Sequence, residues 1–274
     1  MKKRSRRKAA LSLLILSLCL LLAVTLAGVL LRDAAMETDF ARKNLPPSLR
    51  YPFGTDWMGR DLFVRTLCGL SMSIQIGIIT ASVSAVIAFL LGSAAALLGR
   101  GADAAVSWLI DLMMGIPHIL LLILVSFACG KGFWGVVIGV TLSHWMSLSR
   151  VIRGEVLQLR ESGYVQVAQK LGMGRGYILR RHMVPHLFPQ FMVGLVLLFP
   201  HAILHEASVT FLGFGLSPEQ PAIGVILSEG MKYLIMGQWW LAVFPGLALV
   251  LVVLLFDLVG STLRKLLDPA SIHE

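Results

Sequence analysis

Residues 162–189, SGYVQVAQKLGMGRGYILRRHMVPHLFP, form a basic segment that lies between two long apolar runs. The pattern of this basic segment predicts a helix over residues 164–171, a glycine-rich turn that begins at Gly172, and a second short helix that Pro185 and Pro189 end. Basic stretches that flank apolar runs stay on the cytoplasmic side of a membrane. We therefore expect the basic segment to be the longest part of the chain that faces the cytoplasm.

The first predicted helix of the basic segment is amphipathic. Val165, Ala168 and Leu171 recur at helical spacing, so three apolar side chains share one face of the helix. A short apolar face of this kind is typical of a helix that inserts into the groove of a partner protein. The sequence therefore predicts a docking element.

The composition of the whole chain is that of an integral membrane protein. Of its 274 residues, 57% are hydrophobic, and the mean hydropathy is +0.80, which excludes an ordinary soluble domain. The net charge of +9 lies beside long apolar runs, so it indicates membrane topology and contact with anionic lipid rather than binding of nucleic acid. The three cysteines are scattered, and their spacing predicts neither a disulfide framework nor a metal site.

Six apolar runs are long enough to cross a bilayer as helices. The first run is about 34 Å long as a helix, and it follows an N-terminus with six Lys and Arg residues, which predicts an uncleaved span rather than a signal peptide. Short connections between the second, third and fourth runs predict antiparallel neighbours. The runs are residues 9–31, 70–98, 104–128, 133–149, 187–214 and 239–263.

Loop charge then predicts the domain organisation, with both termini in the cytoplasm. The first three regions are a cytoplasmic N-terminus over residues 1–8, the first span over residues 9–31, and an extracytoplasmic segment over residues 32–69. The remaining regions are a five-helix core over residues 70–263, which includes a cytoplasmic loop over residues 150–186, and a cytoplasmic C-terminus over residues 264–274.

Two extracytoplasmic features carry further expectations. In residues 53–63, FGTDWMGRDLF, Asp56 is expected to cap a helix that begins near Trp57. The simplest interpretation is therefore that this motif has a structural role. Residues 216–238, which contain two prolines, are expected to form an external loop.

His201 and His205 are the strongest candidates for a site inside the spans. A spacing of four residues places both imidazoles on one helical face, and Glu206 is adjacent. Neutral imidazoles suit nickel, copper, zinc or iron, so the pair predicts a weak, transient metal site, and all three residues are candidates to line a substrate path. The alternative is that the histidines hydrogen-bond to neighbouring helices. The acid follows the second histidine, which excludes the metalloprotease motif.

Other polar residues in the spans are expected to have packing or hydrogen-bonding roles. Pro117 is predicted to kink the third span, because proline lacks a backbone donor. His118 follows this proline directly. The remaining residues of this group are Asp111, His144 and Asp257.

The order of residues in the basic segment resembles the EAA loop of ABC importer permeases, in which Glu-Ala-Ala precedes a glycine and a later proline. The resemblance implies that this loop is held by an ATPase subunit. The two leading motif residues and the aliphatics before the proline depart from the consensus. The corresponding positions here are Gln166, Val167, Ala168, Gly172, His182, Met183, Val184 and Pro185.

Three further blocks resemble the dipeptide, oligopeptide and nickel permeases of this family, in the same order. They are FGTDWMGRDLF at residues 53–63, SVTFLGFGL at residues 208–216, and FPGLAL, FDLVGSTLR and LDP within residues 244–269. The His-x-x-x-His pattern at the fifth span is most similar to the second permease subunit of nickel importers. The resemblance covers nearly the whole chain after residue 49.

The resemblance implies an all-α integral membrane protein of six transmembrane helices with the type I ABC importer permease fold. Its implied location is the bacterial cytoplasmic membrane, where it imports nickel or a nickel chelate, or alternatively dipeptides and oligopeptides. The implied partners are a second permease, two ATP-binding subunits and an extracytoplasmic substrate-binding protein. ATP and magnesium are used by those partners, and this chain is expected to bind no cofactor.

The sequence argues against two other classes of function. A membrane enzyme needs catalytic groups from neighbouring spans, and the sequence has no such motif and no Walker A sequence. A passive channel or an ion-coupled carrier needs no glycine-hinged docking loop. The sequence therefore favours a transport subunit that is not itself an enzyme.

Overall fold

A computed structural model describes residues 2–267, with side chains for residues 8–174 and 176–267. Residue 1 and residues 268–274, which belong to the two predicted cytoplasmic termini, lie outside the described residues. The helices are α1 (Lys2–Leu30), α2 (Arg32–Met36), α3 (Leu62–Leu97), α4 (Arg100–Met114), α5 (His118–Ala128), α6 (Gly132–Arg160), α7 (Gly163–Lys170), α8 (Arg175–Ile178), α9 (Val184–Phe211), α10 (Ile223–Leu234) and α11 (Trp240–Leu267).

Five helices are long and apolar enough to cross a membrane: α1, α3, α6, α11 and the continuous helix Gly176–Phe211, which includes α9. A sixth span is formed if α4 and α5 are taken together. No β-strand forms within residues 2–267, where the only strand-like feature is an isolated bridge between Thr55 and Asp61. The predicted all-α fold with about six spans is confirmed.

α3 lies at the centre of the bundle and packs against α1, α6 and α9. Small residues on α3 let neighbouring backbones approach closely, as is usual between helices in a membrane. A Cβ atom at Gly92 would lie 2.5 Å from the carbonyl oxygen of Ser149 on α6, and one at Gly77 would lie 2.7 Å from Ile203 on α9. These close approaches fix α3 against its two main neighbours.

The third predicted span is broken rather than merely kinked. α4 and α5 meet at an angle of 95° across Gly115 and Pro117. Pro117 has no backbone donor, and its carbonyl oxygen accepts from the Leu121 N–H, which starts the new helix. Pro117 was thus correctly predicted to disturb this span, but it marks a break instead of the expected kink, and the change of direction places His118 at the start of α5.

Two extracytoplasmic expectations are wrong. Residues 216–238 contain α10, whose buried side packs against α9 and α11, so this region is not simply a loop. The first transmembrane-core helix begins at Leu62, and its cap is Asp61, whose carboxylate accepts from the Phe63 N–H at 2.9 Å. Asp56 does not cap it, because two buried arginines hold its carboxylate instead.

The prediction that Pro185 and Pro189 end a short helix is also wrong. α8 continues through a π-helical turn at Leu179–Met183 into α9, and both prolines lie within the continuous helix Gly176–Phe211. The wider turn lets the Val184 N–H donate to the Leu179 carbonyl oxygen just before Pro185. The basic segment is thereby joined to a span without a break.

Candidate functional site

The end of α7 is held by a defined capping motif. Gly172 has a φ of +76°, and its N–H donates to the Gln169 carbonyl oxygen at 3.0 Å. The Met173 N–H donates to the Ala168 carbonyl oxygen at 3.1 Å. These two bonds form a Schellman motif, which requires a residue in the left-handed conformation at the position of Gly172. The turn predicted from the glycines is thus a rigid corner.

The apolar face predicted to dock into a partner is turned partly inward. Val165 and Ala168 are 0% and 4% exposed and pack in the core of this chain, so the prediction that they insert into a partner is wrong. Leu171, the third residue of the predicted face, is 70% exposed, and together with Tyr164 and Val167, at 46% and 56%, it forms an exposed apolar surface. The helix is apolar on both sides, so one side anchors it and the other remains available.

Two further residues of the EAA-like pattern are exposed. Gln166 is exposed, and its amide nitrogen donates to the Glu161 carbonyl oxygen at 3.2 Å. Pro185 is also exposed, near the start of α9. Arg160 at the end of α6 donates to the Ala96 carbonyl oxygen at 2.5 Å. The basic segment therefore lies at the end of the bundle where α3 finishes.

A buried ion network lies where α3 begins, at the opposite end of the bundle. Asp56 accepts from the Arg60 side chain at 2.7 Å and from Arg65, and Arg65 also contacts Glu229 of α10 at 2.9 Å. Asp56, Arg60 and Arg65 are each no more than 5% exposed. The network ties the segment before α3 to α10, which explains why a motif of this composition is structural.

The structure places His201 and His205, the predicted pair, in different surroundings. The His205 Nδ1–H donates to the His201 carbonyl oxygen at 2.8 Å, but the His201 side chain is exposed and is not one of the three histidines whose ring nitrogens lie within 4.8 Å of one another. His205 instead meets His118 of α5 and His144 of α6. The structure thus brings together one predicted site residue and two residues expected to have packing roles.

The three rings are in direct contact. Their centroids are 4.3 Å apart for His118 and His205, 4.9 Å for His144 and His205, and 5.0 Å for His118 and His144. His144 is buried and the other two are half-buried. Sequence spacing did not reveal this group, because its members lie on three helices and their meeting depends on the break at Pro117.

Glu206 points away from the three histidines. Its carboxyl group is fully buried against α3, where the Ser73 hydroxyl donates to Oε2 at 2.5 Å and the Thr210 hydroxyl donates to Oε1 at 2.9 Å. Both oxygens therefore have partners within the protein. This contact fastens α9 to α3, and Glu206 lies beside the histidine group in sequence rather than in space.

The chain resembles known transport proteins over most of its length. Residues 86–273 match the family described as binding-protein-dependent transport system inner membrane component. A protein of Brucella suis biovar 1 (strain 1330) named as a peptide permease is 36% identical over 265 residues, which are 96% of this chain and 88% of the relative. The dipeptide transport system permease protein DppC of Bacillus subtilis (strain 168) is 29% identical over 98% of this chain and 84% of that protein.

A solved structure supports the same fold. A chain from an inward-facing conformation of the MetNI methionine ABC transporter superposes with a TM-score of 0.61 and 18% identity, over 76% of this chain and 96% of that one. At this identity the likeness shows the fold alone, which is the type I ABC importer permease fold. The helical architecture and the two sequence matches together show that the chain belongs to the family of inner-membrane permease components of binding-protein-dependent ABC importers.

Proposed function

We propose that this permease imports small peptides, with dipeptides as the simplest cargo. The observation that carries this proposal is the similarity to peptide and dipeptide permeases, which extends over 96% and 98% of the chain. Full-length similarity includes the spans that surround a cargo as well as the loops that contact partners. It therefore supports the peptide alternative over the nickel interpretation of the sequence.

We further propose that the basic segment is the docking site for an ATP-binding subunit in the cytoplasm. Its exposed apolar residues Tyr164, Val167 and Leu171 form a surface that fits a hydrophobic groove, and the exposed Arg180 and Arg181 favour the cytoplasmic side. The partner ATPases bind ATP and magnesium, and this chain needs no nucleotide site of its own. A second permease and an extracytoplasmic binding protein complete the proposed importer.

The proposed mechanism is alternating access driven through a rigid connection. The Schellman corner at Gly172 fixes the end of α7, and the helix that follows continues through the π-helical turn into α9. Motion of an ATPase against α7 is therefore passed to a span that carries His205 and Glu206. Glu206 ties α9 to α3, so α9 is expected to move together with the central helix.

Nickel or a nickel chelate is the second candidate cargo. The specific observation in its favour is the group formed by His118, His144 and His205, since imidazole nitrogens suit nickel. The predicted pair His201 and His205 adds less support for nickel, because the His201 side chain is exposed and does not belong to this group.

Uptake by cells that express the complete transporter tests the cargo. The measurement compares a labelled dipeptide with radioactive nickel, and the control is the same transporter without this chain. We expect accumulation of the dipeptide only when this chain is present. Accumulation of nickel without any accumulation of dipeptide would overturn the peptide proposal in favour of the second candidate.

A further inference from the structure

Three histidines from different helices meet inside the protein. His118 lies at the start of α5, His144 in the middle of α6 and His205 near the end of α9. One ring nitrogen from each can be chosen so that all three lie within 4.8 Å of one another, and no other group of this kind occurs within residues 2–267. The proposed ATPase docking uses the basic segment, so it does not involve these three histidines.

Backbone contacts orient two of the three rings. His144 Nδ1 lies 2.8 Å from the Val140 carbonyl oxygen, and His205 Nδ1 lies 2.8 Å from the His201 carbonyl oxygen. A carbonyl oxygen only accepts hydrogen bonds, so both Nδ1 atoms carry the hydrogen and the lone pair of each ring lies on its Nε2 atom. Histidines that bind metals hold their second ring nitrogen in this manner.

Hydrogen bonding within the group leaves a nitrogen without a partner. The distance from His144 Nε2 to His205 Nδ1 is 3.1 Å, so the single N–H of His205 lies between this nitrogen and the His201 carbonyl oxygen. The Nε2 atom of His118 is buried and has no hydrogen-bond partner among the described residues. A buried polar atom without a partner costs free energy, so hydrogen bonds within the protein do not satisfy every nitrogen of the group.

We propose that His118, His144 and His205 form a binding site for one divalent ion of the nickel, copper, zinc and cobalt class. Nitrogen ligands at 2.0–2.1 Å in a tetrahedral arrangement are about 3.4 Å apart, so small ring rotations bring nitrogens that now lie within 4.8 Å onto one ion. Imidazole is the preferred nitrogen ligand of these metals. An ion there gives the His118 Nε2 atom a partner.

The composition of the site indicates reversible binding. Structural zinc sites are closed by four protein ligands, often thiolates, whereas three protein ligands leave one position for water or for a ligand that arrives with the ion. The carboxyl group of Glu206 points away from the three histidines and is held by Ser73 and Thr210, so it does not neutralise the ion. This inference holds for either cargo and does not rest on the proposed peptide transport.

Titration of the purified full-length chain with Co²⁺ alone tests the site. The chain is first freed of metal with a chelator, and binding is followed by visible absorption and by equilibrium dialysis. We expect one Co²⁺ per chain with the intense bands of tetrahedral coordination. Replacing His118, His144 or His205 by Gln is expected to weaken binding by more than about tenfold, since loss of an outer-shell partner alone costs roughly 10–100-fold.

The matched control is His201→Gln. This change removes an imidazole one helical turn from His205 but keeps the carbonyl oxygen that orients it, so Co²⁺ binding is expected to be unchanged. Thermal unfolding checks that each variant is folded. If the buried His144 variant does not fold, the half-buried His118→Gln variant decides. Binding that is unaffected by His118→Gln, or that is lost equally in His201→Gln, would overturn the proposed site, whereas the peptide proposal is tested separately by uptake.

Discussion

Gly172 combines a left-handed backbone with open surroundings. Its φ of +76° belongs to the Schellman corner, and a Cβ atom placed there would meet nothing within 4 Å. A side chain at this position therefore strains the corner without a steric clash, at a cost of roughly 1–2 kcal/mol for a left-handed residue that is not glycine. Its charge and bulk also alter the exposed docking surface.

We expect Gly172→Asp and Gly172→Arg to insert normally but to uncouple ATP hydrolysis from transport. The measurement is dipeptide uptake and ATPase activity of the same complete transporter, with uptake reduced at least about tenfold while hydrolysis continues. The control is Gly154→Asp, because Gly154 is exposed on α6 and also has open space around its Cβ position. Normal coupling in both Gly172 variants would count against the docking assignment.

Asp56 is the closer acidic partner of two buried arginines, and its loss leaves them with Glu229 alone. Breaking a buried ion pair by removing one partner costs about 3–5 kcal/mol. Asp56→Ala is therefore expected to lower the thermal stability of the purified chain strongly. The comparison variant is Asp39→Asn, because the Asp39 and Arg42 side chains are 39% and 45% exposed and such pairs contribute less than about 1 kcal/mol. Equal stability of the two variants would show that the network does not hold this end of the bundle together.

The surroundings of individual functional residues could be predicted from the sequence only in part. The left-handed turn at Gly172 follows from local chemistry, so the sequence indicates it directly. The grouping of His118 and His144 with His205 depends on how three helices are rotated about their axes, which no local pattern encodes. For the same reason the sequence could not tell that Val165 faces inward while Val167 faces outward.

At the scale of helices, α3 and α6 can pack closely because Gly92 has no side chain. A Cβ atom there would lie 2.5 Å from the Ser149 carbonyl oxygen and 3.1 Å from the Ile152 Cβ atom. A larger residue must push the two backbones apart, and overpacking of this kind typically costs about 1–3 kcal/mol.

We expect Gly92→Leu to lower the thermal unfolding temperature and the yield of monodisperse protein. The matched control is Gly101→Leu on α4, where the added side chain meets nothing within 4 Å. Size-exclusion profiles recorded after heating measure both variants. If Gly92→Leu behaves as Gly101→Leu does, α3 and α6 are not packed as closely as the structure places them.

The spans were predictable because a bilayer imposes a minimum apolar length on any helix that crosses it. α10 escaped this criterion because its 12 residues are too few to cross, and it is recognisable only by its contacts with α9 and α11. The break at Pro117 was predicted as a kink, but its angle of 95° depends on how α5 packs against α6. The sequence therefore predicts the length of a span, whereas the packing of the helices sets its direction.

The whole molecule has two functional ends. α3 spans 36 residues, about 54 Å as a helix, with the ion network at its start and the basic segment near its end. We propose that the end with the basic segment contacts the ATP-binding subunit and that the other end contacts the binding protein. Leu49, in the segment before α3, is fully exposed at the second end and serves as a reference position.

Site-specific crosslinking in the assembled transporter tests the central claim most directly. In a variant whose Cys19, Cys68 and Cys129 are replaced by serine, a single cysteine is placed at Val167 or at Leu49 and a short bifunctional reagent is added. We expect that a cysteine at position 167 crosslinks to the ATP-binding subunit and that a cysteine at position 49 does not. Crosslinking of that subunit to Leu49 and not to Val167 would contradict both the docking assignment and the orientation of the chain.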